Sequence, residues 1–198
     1  MQDYYEALWR RLPADAEPAD FELRSRYLLA HVRPGDAVLD VGCGLGWFTA
    51  ALARAGARPV GIDVAESALA LARDRYPQLD LRLVGLGAPL PLQDNSFALA
   101  WAGEVIEHIA DTARWLSELR RVLAPGAKLL LSTPSHGRLR LALGGIERFS
   151  EPLGDHLHLY TRRSLTELLI EFGFGDVQVS AVGGPPFLKR TLLARGTR

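Results

Sequence analysis

Along most of its length the chain alternates short apolar runs with amphipathic segments. Ala37 to Val41, Pro59 to Asp63, Leu79 to Val84, Phe97 to Trp101 and Lys128 to Ser132 have the length and composition of buried strands. Between them, Gly46 to Ala55, Ala65 to Arg75 and Asp111 to Val122 carry apolar residues at helical spacing. An earlier helix is predicted from Phe21 to His31, with Leu23, Tyr27, Leu28 and His31 along one stripe and Pro34-Gly35 closing it. Strands that alternate with helices imply parallel pairing with helices on both faces, an α/β fold.

Punctuation marks the rest. Gly85 to Ser96 holds two glycines and two prolines, so no long helix is expected there. Asp111 or Thr112 caps the helix that follows, and Pro125-Gly126 turns the chain into the fifth strand. Thr133 to Tyr160 shows no clean period and reads as a partly helical excursion, the expected lid. Thr161 caps a helix running to Phe172, which Gly173 ends, and Val177 to Val182 and Phe187 to Ala194 are the last two strands. Neither an internal repeat nor a low-complexity linker interrupts residues 1–198, so a single domain is expected.

Composition narrows the function classes. Apolar residues make up 48% and charged residues 23%, as in an ordinary globular chain of 198 residues. The 23 basic and 23 acidic side chains cancel, which argues against a nucleic-acid partner, since such partners demand a basic footprint. Cys43, the one cysteine, has no internal partner and fits a cytoplasmic setting. No stretch reaches the roughly 18 apolar residues of a membrane span, so no membrane partner is expected.

The candidate chemistry starts at Val38-Leu39-Asp40-Val41-Gly42-Cys43-Gly44-Leu45-Gly46-Trp47-Phe48-Thr49, an apolar strand running through three alternating glycines into a helix. Such a turn lets a ligand approach bare main chain and the N–H groups of the helix. The dinucleotide fingerprint requires a small residue three places after Gly44, where Trp47 stands instead, so NAD and FAD do not fit. Twenty residues on, Arg58-Pro59-Val60-Gly61-Ile62-Asp63 ends a second strand in a carboxylate able to accept both hydroxyls of a ribose.

With Leu90-Pro91-Leu92, Asp94-Asn95-Ser96-Phe97, Glu107-His108-Ile109 and Arg121-Val122-Leu123-Ala124-Pro125-Gly126 in this order, the chain resembles class I S-adenosylmethionine-dependent methyltransferases. The likeness spans roughly residues 24 to 182 and is to the small-molecule, type 11 and quinone-methylating-like branch. It implies a Rossmann-like seven-stranded doubly wound sheet, mostly parallel, whose last two strands pair as an antiparallel hairpin. It implies cap helices within residues 1–31 and a lid at 133–160. The cofactor it implies is S-adenosyl-L-methionine, the acceptor a small molecule, and the methylated atom an oxygen. Rivals are methylation of nitrogen, carbon or protein, and a methyltransferase-like module that works only by binding.

The resemblance assigns Asp40, Gly42, Cys43, Gly44 and Gly46 to the methionine end of the cofactor, Asp63 to the ribose and Val64 to adenine. Gly85, Leu86 and Gly87 border the base, and Gly103 follows the fourth strand. Plain alternatives are a turn role for Asp40, a helix cap for Asp63 and a small buried hydrophobe for Cys43. Arg24 or Arg26 is assigned to the cofactor carboxylate, with Arg24 favoured because it stands three residues before Tyr27 as in quinone-methylating relatives, against a solvated helix face as the other reading. Relatives carry an aspartate where this chain has Leu86, so main chain at 85–87 is left to meet the adenine edge.

Glu104, Glu107 and His108 fall on one face if their segment is helical. Three roles stay open for His108: general base, member of a metal-holding cluster as in some quinone O-methyltransferases, or buttress of the loop. His108 is taken as the catalytic candidate, and no metal is assigned. His136, His156, His158 and Tyr160 are expected to touch substrate or cap the lid. Tyr4, Tyr5, Trp9 and Trp47 are placed either over the ligand or in the core.

Overall fold

Seven strands form one mixed sheet in the computed structural model, which describes residues 2–136, 156–185 and 188–198. β1 (Ala37–Val41) lies between β2 (Arg58–Asp63) and β4 (Phe97–Gly103), parallel to both. β3 (Asp80–Leu83) extends the sheet beyond β2, and β5 (Leu123–Pro134) beyond β4, again in parallel. β7 (Thr191–Thr197) then runs antiparallel between β5 and β6 (Gly175–Val182). The order β3-β2-β1-β4-β5-β7-β6 reverses between β1 and β4. At such a reversal the connections leave to opposite faces and open a crevice over the strands' carboxyl ends.

Helices α1 (Gln2–Arg11), α2 (Phe21–Leu29), α3 (Trp47–Arg54), α4 (Glu66–Arg75), α5 (Thr112–Val122) and α6 (Arg162–Glu171) surround the sheet, with a 3-10 turn at Ile106–His108. Local chemistry sets their ends. The Asp111 side chain accepts from the Arg114 N–H at 3.0 Å, which makes Asp111 the cap of α5. Thr161 and Ser164 exchange hydrogen bonds as a capping box on α6, and Gly173, at φ 78°, lies just past its end. One side of the sheet packs Leu39, Ile62, Ala100, Leu129 and Leu131 with Leu116, Leu119 and Leu165 of the helices. On the other, Val38, Leu99, Trp101 and Leu130 meet Leu28, Phe48 and Leu52.

The last strand departs from expectation. The sequence placed it at 187–194, whereas β7 begins at Thr191 and continues through Arg195, Gly196 and Thr197. Phe187 lies outside the described residues. The polar tail breaks the apolar run, yet two ladders hold it: Lys128 pairs with Thr197, and both Leu130 and Gln178 pair with Arg195. β5 likewise starts at Leu123, where Leu123 pairs with Phe97 across an irregularity in register. Of the expected lid at 133–160, residues 137–155 lie outside the described residues. Its two ends meet: His136 N–H donates to the Tyr160 carbonyl at 2.9 Å, and Tyr160 N–H donates to His136 Nδ1 at 3.1 Å.

Candidate active site

A cavity of about 470 Å³ occupies the crevice, walled by the ends of β1, β2 and β4, the loop after β3, α1 and the first turns of α5. Gly42, Asp63, Val64, Gly85, Leu86, Gly87 and His108 all line it, and so do Glu104 and Trp9. Arg24, Asp40, Cys43, Gly44, Gly46 and Gly103 do not line its wall. The glycine turn needs its glycines. Gly42 and Gly44 have φ of 68° and 50°, and a Cβ on them would come within 2.6 Å of Val105 and 2.7 Å of Trp9. Trp47 leaves the cavity free, because its indole N–H donates to the Ala16 carbonyl at 3.0 Å and the Arg75 guanidinium covers its ring.

Asp63 is almost fully buried and accepts main-chain N–H groups from both sides, Gly44 at 2.8 Å and Ala65 at 2.9 Å. Burial raises its pKa above the usual carboxylate range, and these N–H groups oppose that rise. One carboxylate therefore ties the glycine turn to the start of α4 while facing the cavity. A nucleoside fits this arrangement: diol acceptor, bare main chain beside it, and apolar walls for a base. Helix α1 roofs this end. Glu6 accepts from Glu66 N–H at 2.6 Å and Ser67 N–H at 3.1 Å, and Gln2 donates to the Val64 carbonyl.

Asp40 sits behind the turn instead of on it. Its Oδ2 accepts from Thr49 Oγ1 at 2.5 Å, its side chain is buried, and desolvation with help from nearby Asp63 pushes its pKa up to about 7. Cys43 packs with Leu69, Ala72 and Leu81, and burial pushes its thiol well up. Gly46 starts α3 with a left-handed φ and lies against Tyr76, and Gly103 lies against the Trp101 indole. The pleat of β1 turns Asp40 away from the cavity, while Cys43, Gly46 and Gly103 pack against the core, so these residues shape the turn from outside the ligand space.

At the β4 end the condition for a single helical face, a helix through Glu104, Glu107 and His108, is not met. Glu104 has a left-handed φ of 58°, so only Ile106–His108 coil, and the two glutamates diverge. Glu104 Oε1 accepts from Ser132 Oγ at 2.9 Å and faces Arg24 Nη1 at 3.6 Å. Burial raises its pKa and Arg24 offsets part of this. Arg24 is 3% exposed, stacks 5.1 Å over Phe48 and donates to Ser132 Oγ. It is therefore no solvated helix face.

Glu107 is fully buried. Its Oε2 accepts from Thr133 Oγ1 at 2.9 Å, while its Oε1 receives no hydrogen bond among the described residues and lies 3.9 Å from His108 Nε2. Burial first, and then the charge of Glu104, pushes its pKa up to about 8. The His108 ring meets Tyr5 edge-on at 6.2 Å and His156 at 4.9 Å between centroids. Glu107, His108 and His156 offer ligand-type atoms within 4.8 Å of one another. His158 bonds the Ile109 carbonyl, and the Glu107 carbonyl accepts from Leu157 and His158 N–H, so this stretch docks onto the 3-10 turn. The motif-based reading passed over the α5 wall of Arg114, Trp115 and Glu118. Its signal was the helical spacing of those residues after the Asp111 cap.

Comparison with known proteins agrees with this geometry. Residues 39–131 match the family model described as a methyltransferase domain. A probable S-adenosylmethionine-dependent methyltransferase of Mycolicibacterium smegmatis is 40% identical over 147 residues, 74% of this chain and 54% of that one. A ubiquinone biosynthesis O-methyltransferase of Hahella chejuensis is 38% identical over 104 residues, 50% of this chain and 44% of that one. The chain thus spans about half the length of these curated relatives. An S-adenosylmethionine-dependent methyltransferase structure from Mesorhizobium loti superposes with a TM-score of 0.73 at 24% identity, covering 94% of this chain and 100% of that one. Sheet order, nucleoside-shaped crevice and sequence likeness together define a class I S-adenosylmethionine-dependent methyltransferase fold and site. Across residues 39–131 the chain matches that class, whose cofactor is S-adenosyl-L-methionine.

Proposed function

We propose that this chain methylates a small molecule at an oxygen atom, with His108 as general base. The carrying observation is that the His108 imidazole lines the same cavity as Asp63 and has the Glu107 carboxyl behind its Nε2. Bound with its sugar on Asp63, the cofactor supplies an electrophilic methyl group. His108 accepts the hydroxyl proton of the acceptor, and Glu107 Oε1 lies where it steadies the resulting imidazolium. The name of the Hahella relative, an O-methyltransferase, supports oxygen as the target. Balanced net charge supports a small acceptor over a nucleic acid, and the single cysteine supports a cytoplasmic setting. Residues 1–31 act as the cap and 133–160 as the segment that selects the acceptor.

The first test is calorimetric titration with S-adenosylmethionine and S-adenosylhomocysteine. Absence of binding at about 500 µM defeats the enzyme reading. With hydroxylated metabolites as acceptors, His108→Ala should lower kcat by about 100-fold or more. Unchanged turnover across pH removes His108 from the chemistry.

The clustering of Glu107, His108 and His156 favours a second reading, in which a divalent cation held there lowers the pKa of the acceptor hydroxyl. Activity that chelation abolishes and magnesium or manganese restores selects it. Chelator-insensitive turnover discards it.

A further inference from the structure

The base end of the cavity has an unusual polar inventory. With the sugar on Asp63 and the methionine part towards Gly42 and Glu104, the base extends between Leu86 and the first turns of α5. On the β3 side the wall is Leu86, 38% exposed, with glycine on either side, so it offers no side-chain acceptor. On the α5 side, Glu118 spends Oε2 on the Leu90 N–H and Arg121 and Oε1 on Arg121 Nε. Asp111 spends Oδ1 capping the helix. Arg114 lines the cavity; among the described residues its guanidinium makes no hydrogen bond and no ion pair within 4 Å, and the charge it acts on is the Glu118 carboxylate, already held by Arg121.

We propose that Arg114 reads the base of the cofactor by donating to acceptor atoms on the purine edge, in place of a carboxylate that would accept from its amino group. The idea rests on the nucleoside-binding reading above and deepens it. Its consequence concerns specificity. A buried acceptor built for an amino group rejects an analogue lacking that group by several orders of magnitude, because the acceptor is left unpaired. A guanidinium donor tolerates the loss, since the purine with a carbonyl oxygen in place of the amino group trades N1 for that oxygen as an acceptor and still accepts on the same edge. Arg114 sits on the exposed side of α5, so its replacement costs the fold little.

The experiment is calorimetric titration of the whole chain with S-adenosyl-L-homocysteine and with its deaminated form, S-inosyl-L-homocysteine. The wild type should bind the two within about fivefold of one another. Arg114→Met, which keeps helix propensity and length, should weaken both by about tenfold, the loss of one charge-assisted hydrogen bond. Leu86→Asp, which restores an acceptor, should create a preference for the adenine form of about tenfold or more. A wild type that rejects the inosyl compound by more than about 50-fold overturns the proposal, above all if Asp111→Asn relieves that rejection. So does an Arg114→Met variant whose affinities are unchanged, or a Leu86→Asp variant that shows no preference. A wild type that binds neither compound defeats the underlying nucleoside reading, an outcome distinct from all of these.

Discussion

The two ends of the crevice are built by opposite means. Where β1 and β2 finish, polar groups are answered by main chain: Asp63 takes two N–H groups, Glu6 takes two more, and Gly42 lets the backbone itself form the wall. Where β4 finishes, side chains answer side chains: Arg24, Glu104 and Ser132 form one group around a strained residue, and Glu107 and Thr133 form a second, buried pair beside it. Main-chain partners are fixed once the strands pair, so the first end is rigid and suits a ligand that never varies. A network of side chains can be retuned residue by residue, which suits an end that faces different acceptors and must hold protons at defined atoms.

Asp63→Ala offers the strongest test of that contrast. It strands the Gly44 and Ala65 N–H groups in a nearly dry setting, which costs about 2–4 kcal/mol of stability. The affinity for S-adenosylhomocysteine should fall by about 100-fold or more, because the turn and the sugar contact are lost together. Denaturant unfolding and calorimetry read the two effects. A variant of normal stability that merely binds weakly would show the carboxylate to be a ligand contact without the structural half of its role.

The first end was also the more legible in sequence, and for the same reason. Alternating glycines and a strand-end carboxylate are demanded by backbone geometry, so they recur at fixed spacing, and Gly42, Asp63 and Val64 line the cavity. Asp40, Cys43 and Gly46 belong to the same motif, yet strand pleating and the start of α3 turn them away from the ligand space. A one-dimensional spacing does not carry that distinction. At the β4 end the stretch Glu104-Val105-Ile106-Glu107-His108 puts its ionisable residues on one face only if it is helical, and the local text does not decide this, because the partners of its side chains are Arg24, 80 residues earlier, and Ser132 and Thr133 on β5. Likewise β7 keeps the polar residues Arg195 and Thr197 in the sheet because strands on both sides pair with them, a tertiary effect that local apolar pattern does not record.

Arg24→Met sharpens the contrast with an intermediate effect. The thioether keeps contact with Phe48, while Glu104, a third exposed into the cavity, loses its counter-charge. Removing one partner of a buried pair costs 3–5 kcal/mol, and partial exposure reduces this to about 1–2 kcal/mol here. Affinity for S-adenosylhomocysteine should change by less than about fivefold, since Arg24 is engaged with Glu104 and Ser132 outside the cavity wall. A collapse in affinity at normal stability would mean that Arg24 swings to the cofactor carboxylate, the role its spacing to Tyr27 assigned.

The smallest effect is a pH dependence at Asp40. Burial raises its pKa from an ordinary 3.8 to about 7, so between those values the folded chain holds a proton that the unfolded chain has released. Folding then takes up a proton, and stability falls as pH rises from about 4 towards 7 and levels off above it, where the buried carboxylate is charged in both states. Asp40→Asn keeps an oxygen acceptor for the Thr49 hydroxyl and removes the titration. Its melting temperature should match that of the wild type near pH 4.5 and exceed it by a few degrees at pH 8, about 2–4 °C per kcal/mol for a chain of this size. Nucleoside affinity should stay within about twofold at pH 8, because Asp40 holds the turn from behind. A melting curve whose pH response the substitution leaves unaltered would show that Asp40 is solvated after all, and that the main-chain end of the crevice is less dry than its packing implies.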